Sequence, residues 1–259
     1  MTLCLVIVLS GFAACADTLP SSEKLISAAV AARAAQKDWK YTYREDDEWF
    51  LVPDKDARRA PSERKTFDVI MLEGEPYRKL VLVNGRPLDA EAQAQVDQDL
   101  ERERTERRRQ RKAPTVIKLF KFSLPGIEKL EGFFDNKVMG EETVAGRKTW
   151  RVESIPKHNR RPANQEEEMT ANTRCTTWID QQDSVEIKQT SIFVRPYQEV
   201  GAGTDVKLEF SKFGEAWLPE TVRLRMHFKV GPMQHPYREQ HVRYSNYKRF
   251  IVDSEFRTP

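Results

Sequence analysis

Residues 217–230 alternate strictly: Val222, Leu224, Met226, Phe228 and Val230 fall on one side of an extended chain, and Thr221, Arg223, Arg225, His227 and Lys229 on the other. A period of two cannot form one face of a helix, where neighbours stand three and four apart, so the run predicts an antiparallel strand with one wet side. The rhythm recurs in WKYTYRE, EWFLV, KTFDVIML and YRKLVLV, the last two joined by the turn-like EGEP and ended by Asn84-Gly85, a hairpin signal. It returns in TVIKLFKFSL, FDNKVMGEE, KTWRVESI, TRCTTWID, SVEIKQTSIFV, DVKLEFSKF and YREQHVRYSNYKRF. This makes about eleven to twelve strands, with Val206, Leu208 and Phe210 as another apolar row. A chain of 259 residues can carry them as one large β domain, here 17–259.

Helices interrupt the pattern. Leu25, Ala28, Ala29, Ala32 and Ala35 recur at helical spacing behind Ser21 and Ser22 and predict an amphipathic helix over 22–37. Residues 88–112 hold strong helix formers without Gly or Pro, acids first and bases last, in the order that complements a helix dipole. The stripe Leu88, Ala92, Val96, Leu100 is narrow, so this segment reads as a charged helical insertion, docked weakly at its start and projecting its Arg-rich end. Arg107, Arg108, Arg109 and Arg111 are then either a solvated face or a contact for an anionic membrane surface or an acidic protein. The stretch KHNRRPANQEEEMTAN at 157–172 has the composition of a loop.

Residues 1–16, MTLCLVIVLSGFAACA, resemble a secretory signal too short to span a bilayer. Ala14-Cys15-Ala16 fits cleavage before Asp17 and a periplasmic protein; Phe12-Ala13-Ala14-Cys15 resembles a lipobox that would leave Cys15 acylated and the protein attached to the outer membrane. With Cys4 lost in either case, Cys175 is left without an internal disulfide partner. The 43 Lys and Arg nearly cancel 40 Asp and Glu, a field too weak to expect nucleic-acid binding. Composition also excludes a disordered, collagen-like or polytopic membrane chain, and a monomer is expected.

No common catalytic pattern is present: the sequence has no G-x-S-x-G, H-E-x-x-H, phosphate-binding Gly loop or paired C-x-x-C. His158, His227, His235 and His241 form no helical pair for a metal. Glu166, Glu167 and Glu168 beside His158 read as a solvated linker, and Cys175 as a small apolar strand residue. Neither an enzyme nor a cofactor or metal site is expected.

The order V-x-G-R-x-x-W-x-V-x-x-I-P at 144–156, W-I-D at 178–180 and W-L-P-E at 217–220 resembles the LolA/LolB-like lipoprotein-carrier superfamily. Within a mainly β (α+β) class, the resemblance implies a curved antiparallel half-barrel with helices over its concave face and an apolar cavity for the acyl chains of lipids or lipoproteins. The implied function is a cell-envelope carrier in outer-membrane lipoprotein sorting, the alternative an envelope interaction or lipid-sensing module on the same fold. Trp150, Val152, Val206, Leu208, Phe210, Val222, Leu224, Met226 and Phe228 are the candidate cavity residues; equally they could pack as a closed core.

Overall fold

The computed structural model describes residues 19–36, 40–52, 60–109, 126–198, 200–228 and 237–250. The leader with Cys15, the candidate strand TVIKLFKFSL, Arg111, Val230 and His235 lie outside the described residues. Along the chain run α1 (Ser22–Ala34), β1 (Tyr41–Val52), β2 (Glu63–Leu72), β3 (Glu75–Val83), β4 (Arg86–Pro87), α2 (Ala90–Arg109), α3 (Ile127–Phe133) and β5 (Phe134–Val144). There follow β6 (Arg147–Pro156), α4 (Gln165–Ala171), β7 (Thr173–Asp180), β8 (Glu186–Phe193), β9 (Asp205–Phe213), β10 (Ala216–Met226) and β11 (Tyr237–Arg249).

All eleven strands join one antiparallel sheet in the order β4-β3-β2-β1-β11-β10-β9-β8-β7-β6-β5, so the first long strand pairs with the last and the sheet stays open at β4 and β5. Register shifts at Thr42/Arg44, Thr66/Phe67, Val138/Gly140, Trp178/Ile179 and Pro219/Thr221 insert an unpaired residue and bend each strand, giving a curved half-barrel. Hairpins β2–β3 and β3–β4 turn at Glu73-Gly74 and Asn84-Gly85, four residues at positive φ, the left-handed pair that matches strand twist.

Register sorts the side chains as the alternation predicts. Val222 stands beside Leu208 and Val242, and Leu224 beside Val206 and Gln240. The other face is charged, with Arg223 bound to Glu239 at 2.6 Å and Arg225 to Asp205 at 2.7 Å. On the apolar face, α1 and α3 cover β5 to β7: Ile26, Ala29, Ile127, Leu130 and Phe133 pack on Phe134, Val138, Val152, Cys175 and Ile179. Asn136 ties these layers together, its amide donating to Leu130 O at 2.7 Å and its carbonyl accepting from Ser154 Oγ at 2.6 Å. Ser22 Oγ donates to Asn136 O at 3.0 Å and so fixes the start of α1.

Two helical expectations are amended. Residues 165–171 are helix and not loop: Asn164 Oδ1 accepts from Glu167 N at 3.0 Å as the N-cap, and the three glutamates that suggest a solvated linker are the first-turn acids a helix dipole favours. The insertion is helical as expected, capped by Asp89 Oδ1 accepting from Ala92 N at 2.8 Å, but its Arg-rich end does not simply project. Arg107 Nη1 donates to Leu72 O at 3.1 Å and Glu75 O at 3.0 Å, Nη2 to Pro76 O at 3.1 Å, and Nε to Glu103 at 2.6 Å. Arg108 meets Glu73 at 2.9 Å, leaving Arg109 exposed at the end of α2.

Because α2 contains no buried residue, replacing 88–112 with a short flexible bridge should leave the sheet folded, with a thermal midpoint within a few degrees of the parent in calorimetry. Loss of the cooperative transition would show that the helix belongs to the core.

Candidate functional site

Between the C-terminal half of α1 and the start of β10 lies a cleft of about 490 Å³, lined by Val30, Arg33, Ala34, Gln36, Tyr41, Glu128, Ala216, Trp217 and Leu218. Its volume falls within the roughly 300–1,000 Å³ of small-molecule sites, and its walls are mainly apolar with a few polar groups, as such sites usually are. Val30 and Ala34 stand four apart on one side of α1 and form the roof; Ala216 to Leu218 form the floor.

Trp217 is held on every side. Its backbone N–H donates to Gln36 Oε1 at 3.0 Å and its carbonyl accepts from Arg33 Nη1 at 3.3 Å, so both of its main-chain groups carry the end of α1. The indole Nε1–H donates to Asp183 Oδ2 at 3.0 Å. That oxygen also accepts from Lys212 Nζ at 2.8 Å and Arg147 Nη2 at 3.1 Å. Arg147 reaches on to Asp180, Nε to Oδ2 at 2.6 Å and Nη2 to Oδ1 at 2.8 Å, a bidentate fork, and its guanidinium lies 5.2 Å from the Trp217 ring centroid. Arg147, Asp180 and Trp217, one from each of the three sequence motifs, thus converge on one clamp.

The electrostatics follow from these contacts. The Lys212 hydrogen bond first, and then the indole, hold the Asp183 carboxyl below its ordinary range against the opposing effect of partial burial. At Asp180 burial opposes the charge, but the Arg147 fork and the N–H groups of Asp183 and Gln182 outweigh it and the carboxyl titrates low. Both groups are depressed in the folded state, so their stabilisation is present above the unfolded carboxylate range near about 4 and is lost as pH falls through the folded values. Glu186 behaves in the opposite way: burial raises it, although Arg33 opposes the shift at 2.7 Å. Its contribution is largest below the unfolded value and is lost as pH rises through the folded one.

Of the nine residues expected around a cavity, eight sit on the sheet and Phe228 lies just beyond β10; they divide among three packed clusters. Val152 is fully buried beneath α1 and α3 with Trp150 against it. Val206, Val222, Leu224 and Met226 pack with Val242 and Tyr244, with Leu208 and Phe228 at their margin. Phe210 flanks Val185, Ile187 and Trp217 beneath Arg33, whose guanidinium lies 4.5 Å from its ring centroid. None of the nine lines the cleft. The lining residues were missed for a physical reason. Strict alternation puts Trp217 on the side of Thr221 and Arg223, but the register shift between Pro219 and Thr221 turns it onto the apolar face beside Phe210.

The charged face carries a separate depression of about 540 Å³ that includes Asp46, Glu48, Arg64, Lys207 and Glu209, much of whose charge is paired internally: Arg64 with Glu48 at 2.5 Å, Lys207 with Glu209 at 2.6 Å. Cys175 is buried, its thiol pushed up to about 11 by burial, with Ser191 Oγ at 3.3 Å. Among the described residues no group of three or more His, Cys, Asp or Glu is placed to hold a metal ion, and no helix is long and apolar enough to cross a membrane.

Replacing Arg147 with Ala leaves Asp180, whose side chain is 1% exposed, with only the Asp183 and Gln182 N–H groups against its charge, a change that costs about 1–3 kcal/mol. The urea midpoint should fall accordingly and tryptophan emission shift to the red as the Trp217 clamp loosens; an unchanged midpoint would refute the clamp.

No protein-family model and no curated protein matches the sequence. Solved structures similar to this chain include a DUF1329 family protein from Desulfovibrio piger at 12% identity and a TM-score of 0.42, covering 90% of this chain and 95% of the other. An outer membrane lipoprotein-sorting protein domain from Vibrio parahaemolyticus shows 11% identity and a TM-score of 0.42 over 91% and 96% of the two chains. A LolA superfamily protein from Nitrosomonas europaea shows 10% identity and a TM-score of 0.38 over 93% and 99%. Two of these descriptions name the kind of protein the sequence motifs resemble. At these identities and scores the likenesses assign neither family nor function, which must come from the chain's own geometry.

Proposed function

We propose that this chain is a cell-envelope protein that binds acyl chains of lipids or lipoproteins in the cleft between α1 and β10, and that it holds and releases them without chemical change. The observation that carries the reading is the cleft: Val30, Ala34, Ala216, Trp217 and Leu218 meet around about 490 Å³ at the junction of a helix and a sheet. A polar ligand would find most of that wall without hydrogen-bonding groups, whereas each buried methylene contributes about 0.8 kcal/mol. A carrier also needs a roof that yields. Here the end of α1 is attached to β10 through Arg33 and Gln36, a handful of polar contacts that can break and re-form while α3 and the sheet hold the other end of the helix.

The nine residues first considered belong to the packed support beneath this cleft, in our reading. Carriage of lipoproteins towards the outer membrane, and a periplasmic or membrane-anchored location, are the finer form of the same proposal.

The test is binding of the apolar fluorescent probe N-phenyl-1-naphthylamine and its displacement by decanoate, in the parent and in an Ala34→Trp variant. Ala34 is exposed at the rim, so the larger side chain fills the mouth without entering the core. The parent should bind and the variant should weaken binding by about tenfold or more with its thermal midpoint kept. Binding that persists in a stably folded Ala34→Trp variant would remove the cleft from consideration, and no binding by the parent would remove the function.

A further inference from the structure

We propose that the amphiphile held in the α1–β10 cleft carries an ammonium group at its polar end; the proposal rests on the acyl-binding reading of that cleft. Among its described lining residues, Arg33 supplies the one cationic side chain and Glu128 a carboxylate. Arg33 is already committed, to Glu186 Oε1 at 2.7 Å, to the Trp217 carbonyl at 3.3 Å and over the Phe210 ring. Glu186 is 7% exposed and its second oxygen, Oε2, has no donor. Glu128 is exposed on α3, and Glu186 feels its charge as a like charge.

Arg33 is therefore bound to Glu186, which does not itself line the cleft, and Glu128 is left as the cleft's own carboxylate. An anionic head entering here would meet the Glu128 carboxylate and a guanidinium that is already occupied. A hydroxyl could donate a hydrogen bond but would leave the charge excess in place. An ammonium supplies three donors and the missing positive charge together. Tyr41, also in the lining, adds an aromatic ring of the kind to which cations are attracted within about 6 Å of the centroid.

The experiment compares three ligands of equal chain length, decylamine, decanol and decanoate, each below its micellar concentration, as competitors of N-phenyl-1-naphthylamine on the full chain. The amine should compete about tenfold better than the alcohol, and the alcohol better than the acid. In Glu128→Gln the ratio of amine to alcohol should fall towards one. Equal competition by all three, or preference for decanoate, would overturn the proposal while leaving acyl binding intact; competition by none would overturn the acyl-binding reading itself. Dihexanoyl-phosphatidylethanolamine and N-octanoyl-lysine amide then distinguish an amine on a phospholipid from one on an acylated peptide, and displacement by neither would overturn the proposal.

Discussion

The Asp183 carboxylate oxygen that accepts from Lys212, Arg147 and the Trp217 indole joins parts of the molecule that nothing else joins so directly. It lies in the turn after β7, and its donors come from β6, β9 and β10. Arg147 extends the network to Asp180, buried at the end of β7, and low-dielectric surroundings make these charge-assisted bonds strong only while every member is present. Trp217 is the member with two roles, because the same residue that closes the network carries the last turn of α1 on its main-chain groups. The position of the end of α1 and the floor of the cleft are thereby tied to one set of contacts.

From that constraint the rest of the site follows by packing. The N-terminal half of α1 is fixed by Ile26 and Ala29 in the core it forms with α3 and by the Ser22 bond to β5. Its C-terminal half rests on two hydrogen bonds with the floor of the cleft, Arg33 donating to the Trp217 carbonyl and Gln36 accepting from the Trp217 N–H. One end is held by apolar burial, which is slow to undo, and the other by a few polar contacts that exchange readily with water or a ligand. In the proposed function, a roof so attached yields at its C-terminal end while its N-terminal end stays packed.

Much of this fold was legible in the residues. The period-two rows around Val222, Leu224 and Met226, the Asn84-Gly85 turn and the charged helix described over Ala90–Arg109 announced their conformations because local chemistry and final environment agree there. The apolar rows also identified the correct face of the sheet. What could not be read was the site, since a β-bulge is a register event between two strands and leaves little mark on one. The bulge before Thr221 moves Trp217 from the charged side to the apolar one, so counting alternation excluded the residue at the centre of the cleft. The loop expected at 165–171 failed for a related reason: three adjacent glutamates look solvated unless the Asn164 cap beside them is recognised. Motifs at Arg147, Asp180 and Trp217 were visible as motifs, but their meeting around Asp183 needed three dimensions.

The central claim is that an acyl chain enters between α1 and β10 and not elsewhere on the apolar face. A decyl chain bearing a diazirine near its end, bound to the full-length protein, irradiated and mapped by peptide mass spectrometry, tests that claim directly. The account requires the cross-links to fall on Val30, Ala34 and the Ala216 to Leu218 segment. Cross-links concentrated instead on Val206, Leu208, Val222 and Leu224 would contradict it and return the ligand site to the middle of the sheet.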